Sequence, residues 1–281
     1  MTTTKTTITI SVLAFSVLLG VRDADAGRGG SQSRIVSAIR STNADAIIAE
    51  LERAERLVCP ACVEPVMALL DHDDYRVREA AAWWIARRPA HKVAVHELSV
   101  ARLYGNDARL ARNAADALGT FRHPRALPAL GYAAARLDLS AEARAAAVQA
   151  IGTIGHPGGE PALVTALADP APEVRVSAVK ALLALRGIRS GDSLIPLLRD
   201  GDVQVRRQVT VVMGTLKSPS ARAGLEQLLA SDPDSLVRRN AAFALGRLGD
   251  AASRAALETA AAGDSSSLVR SVARASITSL R

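Results

Sequence analysis

Aromatic residues are scarce: Phe, Trp and Tyr make up 3% of the 281 residues, although 49% of the chain is hydrophobic. Small aliphatic side chains must therefore do the packing, and alanine, leucine and valine suit closely packed helices. Lysine occurs only at Lys5, Lys92, Lys180 and Lys217, so arginine carries most of the net charge of +7. No apolar/polar alternation long enough for a strand stands out, which leaves an all-α reading. No Gly-x-Ser-x-Gly, P-loop or dinucleotide fingerprint is present, so three common catalytic frameworks drop out. Cysteine is limited to Cys59 and Cys62.

The opening segment has the three parts of an export signal. Lys5 supplies positive charge, Ile8 to Val21 is apolar, and Ala24-Asp25-Ala26 fits a small-x-small cleavage site. That apolar stretch has 14 residues and is diluted by Thr9, Ser11 and Ser16; a bilayer span needs about 20. Residues 1–26 are thus expected to be a signal peptide, and no later segment could span a membrane. Its removal takes two basic and two acidic residues and leaves the charge at +7. Residues 27–58 are expected to form a linker (Gly27 to Ser33) and then a capping helix or helix pair, with Ile47, Ile48, Leu51 and Leu57 covering the apolar edge of the helical array beyond residue 58.

From Cys59 onward the chain repeats. An Ala-rich run opening on arginine recurs as "YRVREAAAWWIA", "EARAAAVQAIG", "EVRVSAVKALL", "QVRRQVTVVMG", "LVRRNAAFALG" and "LVRSVARASIT", with a degenerate copy, "RLARNAADALG". The aligned positions, Arg78, Ala111, Arg144, Arg175, Arg206, Arg238 and Arg270, are spaced 33, 33, 31, 31, 32 and 32 residues apart. Within a copy, Val237, Ala241, Ala244 and Leu245 form one helix face. Each copy is followed by a Gly/Pro turn such as "RHPRA" or "KSPSA", then a shorter apolar helix such as "LIPLL" or "LEQLL", then an acidic turn that caps the next copy. His123-Pro124 and His156-Pro157 fall in equivalent turns, which marks them as repeat structure.

This two-helix unit, with Asp in the turn and Val-Arg opening the second helix, resembles a HEAT repeat of the short bacterial, lyase-type form. The resemblance implies an α-solenoid of about seven repeats over residues 59–281. It also implies that the recurrent pairs Asp138/Arg144, Asp169/Arg175, Asp200/Arg206, Asp232/Arg238 and Asp264/Arg270 supply a ladder between neighbouring repeats. A catalytic carboxylate is needed once, whereas these recur with the period. In the family the second helix of each pair lines the concave side. Residues of that helix outside the core pattern are then candidates for partner contact: Arg112, Asn113, Gln149, Lys180, Arg207, Gln208, Arg239, Asn240 and Phe243. Arg207 and Arg239 occupy equivalent positions, so a basic stripe and an acidic protein partner are expected.

Cys59 and Cys62 have the spacing of thiol-disulfide motifs, at a helix start where a thiolate is favoured. Outside the cytoplasm such a pair most often closes as a local disulfide; redox activity or metal binding are the alternatives. Zinc would need two further ligands; His72 is the nearest histidine, and no second His or Cys sits at usable spacing. Val63 occupies the place where a haem attachment motif needs His. The expected function is therefore an exported, non-enzymatic interaction scaffold without cofactor, periplasmic or secreted. A lyase-like or thiol-disulfide activity is the enzymatic alternative. Nucleic-acid binding, suggested by a pI near 10.1, is disfavoured by export and by the use of arginine in the ladder.

Overall fold

The computed structural model describes residues 32–187 and 191–280. The expected signal peptide and all of the linker except Gln32 and Ser33 lie outside the described residues. Those two residues already belong to the first helix, α1 (Gln32–Arg40), which pairs with α2 (Ala44–Arg53). Seven further hairpins follow: α3 (Pro60–Ala68) with α4 (Tyr75–Ala86), α5 (Pro89–Tyr104) with α6 (Ala108–Phe121), and α7 (Leu127–Ala135) with α8 (Ala141–Ile154). Then come α9 (Glu160–Ala166) with α10 (Pro172–Ala184), a 3-10 helix (Asp192–Arg199) with α11 (Val203–Leu216), α12 (Arg222–Ser231) with α13 (Ser235–Leu248), and α14 (Arg254–Gly263) with α15 (Ser267–Ile277). No strand occurs among the described residues.

The second helices, α2, α4, α6, α8, α10, α11, α13 and α15, stack in sequence as one layer. The first helices make up the other layer, in contact at α1 with α3, α5 with α7, α7 with α9, the 3-10 helix with α12, and α12 with α14. The α1–α2 hairpin enters this order as α4's neighbour, burying Ile47 and Leu51 as a cap should, while Ile48 turns to a surface groove. Where a helix was expected at "LIPLL", the chain forms a 3-10 helix, with Pro196 inside it.

Most second helices begin on a short polar side chain, α10 with its Ala171 cap being the exception. Asp74, Asp107, Ser140, Asp202 and Asp234 accept backbone N–H groups of their own first turns, satisfying donors that a helix start leaves free. The His-Pro turns work the same way at the start of the short 3-10 turns. His123 Nδ1 accepts from Arg125 N–H at 3.2 Å, and His156 Nδ1 from Gly158 N–H at 3.0 Å.

The layer of second helices is unusually close at glycine. Gly119, Gly152, Gly214 and Gly246 sit inside α6, α8, α11 and α13, each against the backbone of the next second helix. A Cβ at Gly152 would stand 2.8 Å from Ala181 Cα, and one at Gly246 would stand 2.9 Å from Ser276 Cα. These glycines set the helix separation and do not end the helices.

The recurrent arginines join one repeat to the next. Arg144 donates Nε and Nη2 to Asp169 at 2.8 Å each, Arg175 to Asp200 at 2.8 and 2.7 Å, Arg206 to Asp232 at 2.7 and 3.3 Å, and Arg238 to Asp264 at 2.8 and 2.9 Å. The remaining Nη1 donates backwards to the carbonyl of its own turn: Leu139 for Arg144, Asp169 for Arg175, Asp200 for Arg206, Asp232 for Arg238 and Asp264 for Arg270. Each aspartate of the four pairs also accepts an N–H of its own turn. Carboxylate, turn and guanidinium are thus locked in one unit per repeat. Burial pushes the Asp169 carboxyl upward, but the Arg144 guanidinium and the Ala171 N–H outweigh it and hold the group below its ordinary value. Hydrogen bonds from Arg238 do the same for Asp264.

Asp138 departs from the expected ladder. Its side chain is 64% exposed and pairs with Arg136, two residues away. The cause lies in the preceding repeat, where Ala111 stands in the arginine position and offers nothing to Asp138. Arg136 itself fills the gap: its Nη1 donates to the Leu103 and Gly105 carbonyls, the turn that an arginine at position 111 would have served. We predict that Asp138→Ala changes stability by no more than about 0.5 kcal/mol, as for exposed pairs generally. Urea denaturation showing a loss above about 1 kcal/mol would mean that this pair supports the turn more than its exposure implies.

Candidate functional site

The second helices present a regular outward face. Counting from each aligned arginine, the residues two before and one, five and nine after it fall on one stripe, because these steps return to the same side of an α-helix. On α4 they are Arg76, Glu79, Trp83 and Arg87. On α6 they are Arg109, Arg112, Asp116 and Thr120. On α13 they are Leu236, Arg239, Phe243 and Arg247. A groove of about 780 Å³ crosses α2, α4, α6 and α8 over this stripe, which puts the concave wall on the second helices.

The column five residues after the arginine runs Trp83, Asp116, Gln149, Lys180, Val211 and Phe243 along the wall. Of the two adjacent tryptophans, Trp84 is fully buried and donates Nε1 to the Ala54 carbonyl at 3.1 Å. Trp83 lines the groove, with the Arg87 guanidinium 3.7 Å above its ring.

The candidate contact residues divide by position. Gln149, Lys180 and Phe243 are exposed on the wall, and Gln208 is half-buried. Asn113 and Asn240, two residues after the arginine position, do not reach the surface. Asn113 is buried and donates to Asp71, and Asn240 is buried and donates to the Arg207 carbonyl. Asn240 thus bonds the neighbouring second helix and Asn113 the turn of the preceding hairpin, so both fasten repeats. Arg112 pairs with Glu142 across repeats. Arg207 is bound bidentately by Asp234, whose carboxyl that guanidinium helps hold at about 2. The expected Arg207/Arg239 stripe is therefore half neutralised: Arg207 is spent within the protein.

The free cations lie elsewhere on the same half. Lys180, Arg239 and Arg247 form no salt bridge or side-chain hydrogen bond among the described residues, and Arg239 Nε is buried without a partner. Around them stand the exposed apolar side chains Val211 (45%), Leu236 (37%), Phe243 (52%) and Leu268 (49%). Sequence periodicity could have found this patch through Leu236 and Phe243, seven apart on one helix face, had the exposed stripe been read together with the core stripe.

Cys59 and Cys62 are joined at the start of α3, where Cys59 is the cap and Pro60 the first residue. Both are covered, Cys62 completely. Among the described residues no group of three or more His, Cys, Asp or Glu is arranged to hold a metal ion. No described helix is long and apolar enough to cross a membrane.

Stacked helical hairpins with salt-linked turns and a concave wall of second helices define an α-solenoid. The family described as HEAT repeats matches residues 132–211 and 191–278, together more than half of the chain, and the PBS lyase HEAT-like repeat matches residues 110–131. The chain belongs to the HEAT-repeat family. Among solved structures it is similar to YibA of Escherichia coli, with a TM-score of 0.56 and 17% identity over 88% of this chain and 92% of that one. It is also similar to Kap95p, in a structure with RanGDP, with a TM-score of 0.57 and 14% identity over 90% of this chain and 41% of that one. Importin beta gives 0.54 and 16% over 87% and 40%. At these identities the likeness is one of fold. No curated protein matches the chain.

Proposed function

We propose that this protein is an exported, non-enzymatic scaffold that holds a protein partner along its concave wall, working in the periplasm or outside the cell. The observation that carries the reading is the patch on α11, α13 and α15. Exposed Phe243, Val211, Leu236 and Leu268 lie beside the unpaired Arg239 and Arg247, whereas the ladder arginines Arg144, Arg175, Arg206 and Arg238 are committed to internal carboxylates. Apolar anchors next to arginines with free donors suit a partner surface that offers carboxylates among apolar side chains. Kap95p, similar in fold, binds RanGDP, which supports protein recognition as a use of this architecture. The export signal read at residues 1–26 supports the location. The covered disulfide weakens the thiol-exchange alternative, since exchange needs an accessible sulfur.

The test is affinity capture from envelope extract, followed by direct titration of the purified partner. Arg239→Glu/Arg247→Glu is expected to weaken binding at least about 100-fold, as for removal and reversal of central charged contacts, with the fold intact by circular dichroism. A partner bound equally by wild type and variant would remove this patch from the interface.

A further inference from the structure

The other half of the wall has the opposite character. The groove across α2, α4, α6 and α8 is lined by the carboxylates Asp45, Glu52, Glu79 and Asp116 and by the rings of Tyr75 and Trp83. Two arginines also line it, Arg76 and Arg122. Arg76 is engaged by Asp45 and Asp74. Glu52 and Glu79 form no salt bridge or side-chain hydrogen bond among the described residues.

Asp116 is the unusual member. Its side chain is only 9% exposed, and it stands in the middle of the outward column, between Trp83 and Gln149. Arg78 donates Nε at 3.0 Å and Nη2 at 2.8 Å to the same oxygen, Oδ2, while its Nη1 serves the His72 and Asp73 carbonyls. Oδ1 accepts no hydrogen bond from any described residue, and the residue lines the groove. Oδ1 is not sealed from the groove, so water or a donor from a partner can reach it. Burial pushes the Asp116 carboxyl upward against the pull of Arg78, so a cation supplied from outside would favour its charged form. Both rings already carry a guanidinium from within the protein, Arg87 over Trp83 and Arg78 over Tyr75, so the attraction for an incoming ammonium or guanidinium group comes from the carboxylates.

We infer that the groove over α4, α6 and α8 seats cationic side chains, lysine or arginine, of the same bound partner, with Asp116 Oδ1 and Glu79 as acceptors and Trp83 as the apolar wall. This rests on the reading of the concave wall as a protein-binding surface. It adds that the wall is polarised in charge: a partner segment lies with its basic part over α4 to α8 and its acidic, apolar part over α11 to α15.

The test uses the intact chain and a fluorescein-labelled hexalysine peptide, followed by anisotropy at low and moderate salt, with hexaserine as control. The protein carries a net charge of +7, so a polycation is repelled in general, and binding must come from a local acidic site. Hexalysine is expected to bind, with affinity falling as salt rises. Glu79→Gln should weaken it about 3-fold and Glu79→Gln/Asp116→Asn at least about 10-fold. Arg239→Glu/Arg247→Glu should leave it intact. Glu79 is exposed and makes no internal bond, so its variant keeps the test valid even where loss of the Arg78 partner loosens the fold. No binding above hexaserine, or binding indifferent to Glu79→Gln and to the double variant, would overturn the inference. Either result would leave the Arg239/Arg247 patch to stand or fall on its own capture experiment.

Discussion

Replacing Arg144 with alanine should lower stability by about 3–5 kcal/mol, the cost of leaving one partner of a buried ion pair uncompensated. The Arg144 and Asp169 side chains are 6% and 4% exposed, the most covered of the four regular pairs. Loss of the guanidinium strands the Asp169 carboxylate with the Ala171 N–H as its one remaining donor and also frees the Leu139 carbonyl. Arg254→Ala, at an exposed position with no salt bridge or side-chain hydrogen bond, should change stability by less than about 0.5 kcal/mol. Denaturant unfolding of the two variants provides the comparison. Replacing both Arg144 and Asp169 with apolar residues of similar volume should recover most of the loss, because the pair's net worth is small even where breaking it is costly. Equal midpoints for Arg144→Ala and Arg254→Ala would mean that water reaches the turn and screens the carboxylate.

Gly152→Val should be nearly as damaging, by a different route. Even the first carbon of the new side chain would fall 2.8 Å from the Ala181 Cα and 2.7 Å from its Cβ, inside any real contact distance. The obstruction is largely backbone, so no rotamer change relieves it and α8 and α10 must separate. Overpacking of this kind costs about 1–3 kcal/mol and sometimes more, against a gain of under about 1 kcal/mol from removing glycine from a helix. We expect a net loss of at least about 2 kcal/mol for valine and a smaller loss for Gly152→Ala, by thermal or urea unfolding. Gly263→Ala is the contrast, since nothing lies near its added carbon. Stabilisation by Gly152→Ala would show that the two helices slide apart at little cost.

The fold was legible because one signal repeats. Arginine at a period of 31 to 33 residues, followed by small apolar residues at helical spacing, leaves few architectures besides stacked hairpins. The direction of the salt links was less legible. Asp169 and Arg175 lie six residues apart, yet the carboxylate reaches back to Arg144 and only the Asp169 carbonyl meets Arg175. Local spacing shows that two groups recur together, not which atom each one offers. The site suffered from the same blindness. Asn113 and Phe243 both lie off the core stripe, but one falls between helices and the other on the open wall, and a shift of three positions decides which. Asp116 was hard to find for the opposite reason. It occurs in a single copy, so the period that exposes the framework hides whatever departs from it.

The alanine at position 111 has an effect beyond its own turn. The four regular rungs are charged pairs whose aspartates, at Asp169 and Asp264, ionise more readily in the native protein than free carboxylates do. Their contribution is complete above the unfolded carboxyl value of about 3.9 and drains away as acid titrates the native groups. The seam at Ala111 is closed differently, by Arg136 reaching the neutral Leu103 and Gly105 carbonyls, and Asp116 in the same repeat titrates in the opposite sense to Asp169 and Asp264. Acid therefore weakens the rungs at Asp169 and Asp264 while protonation of Asp116 favours the native form.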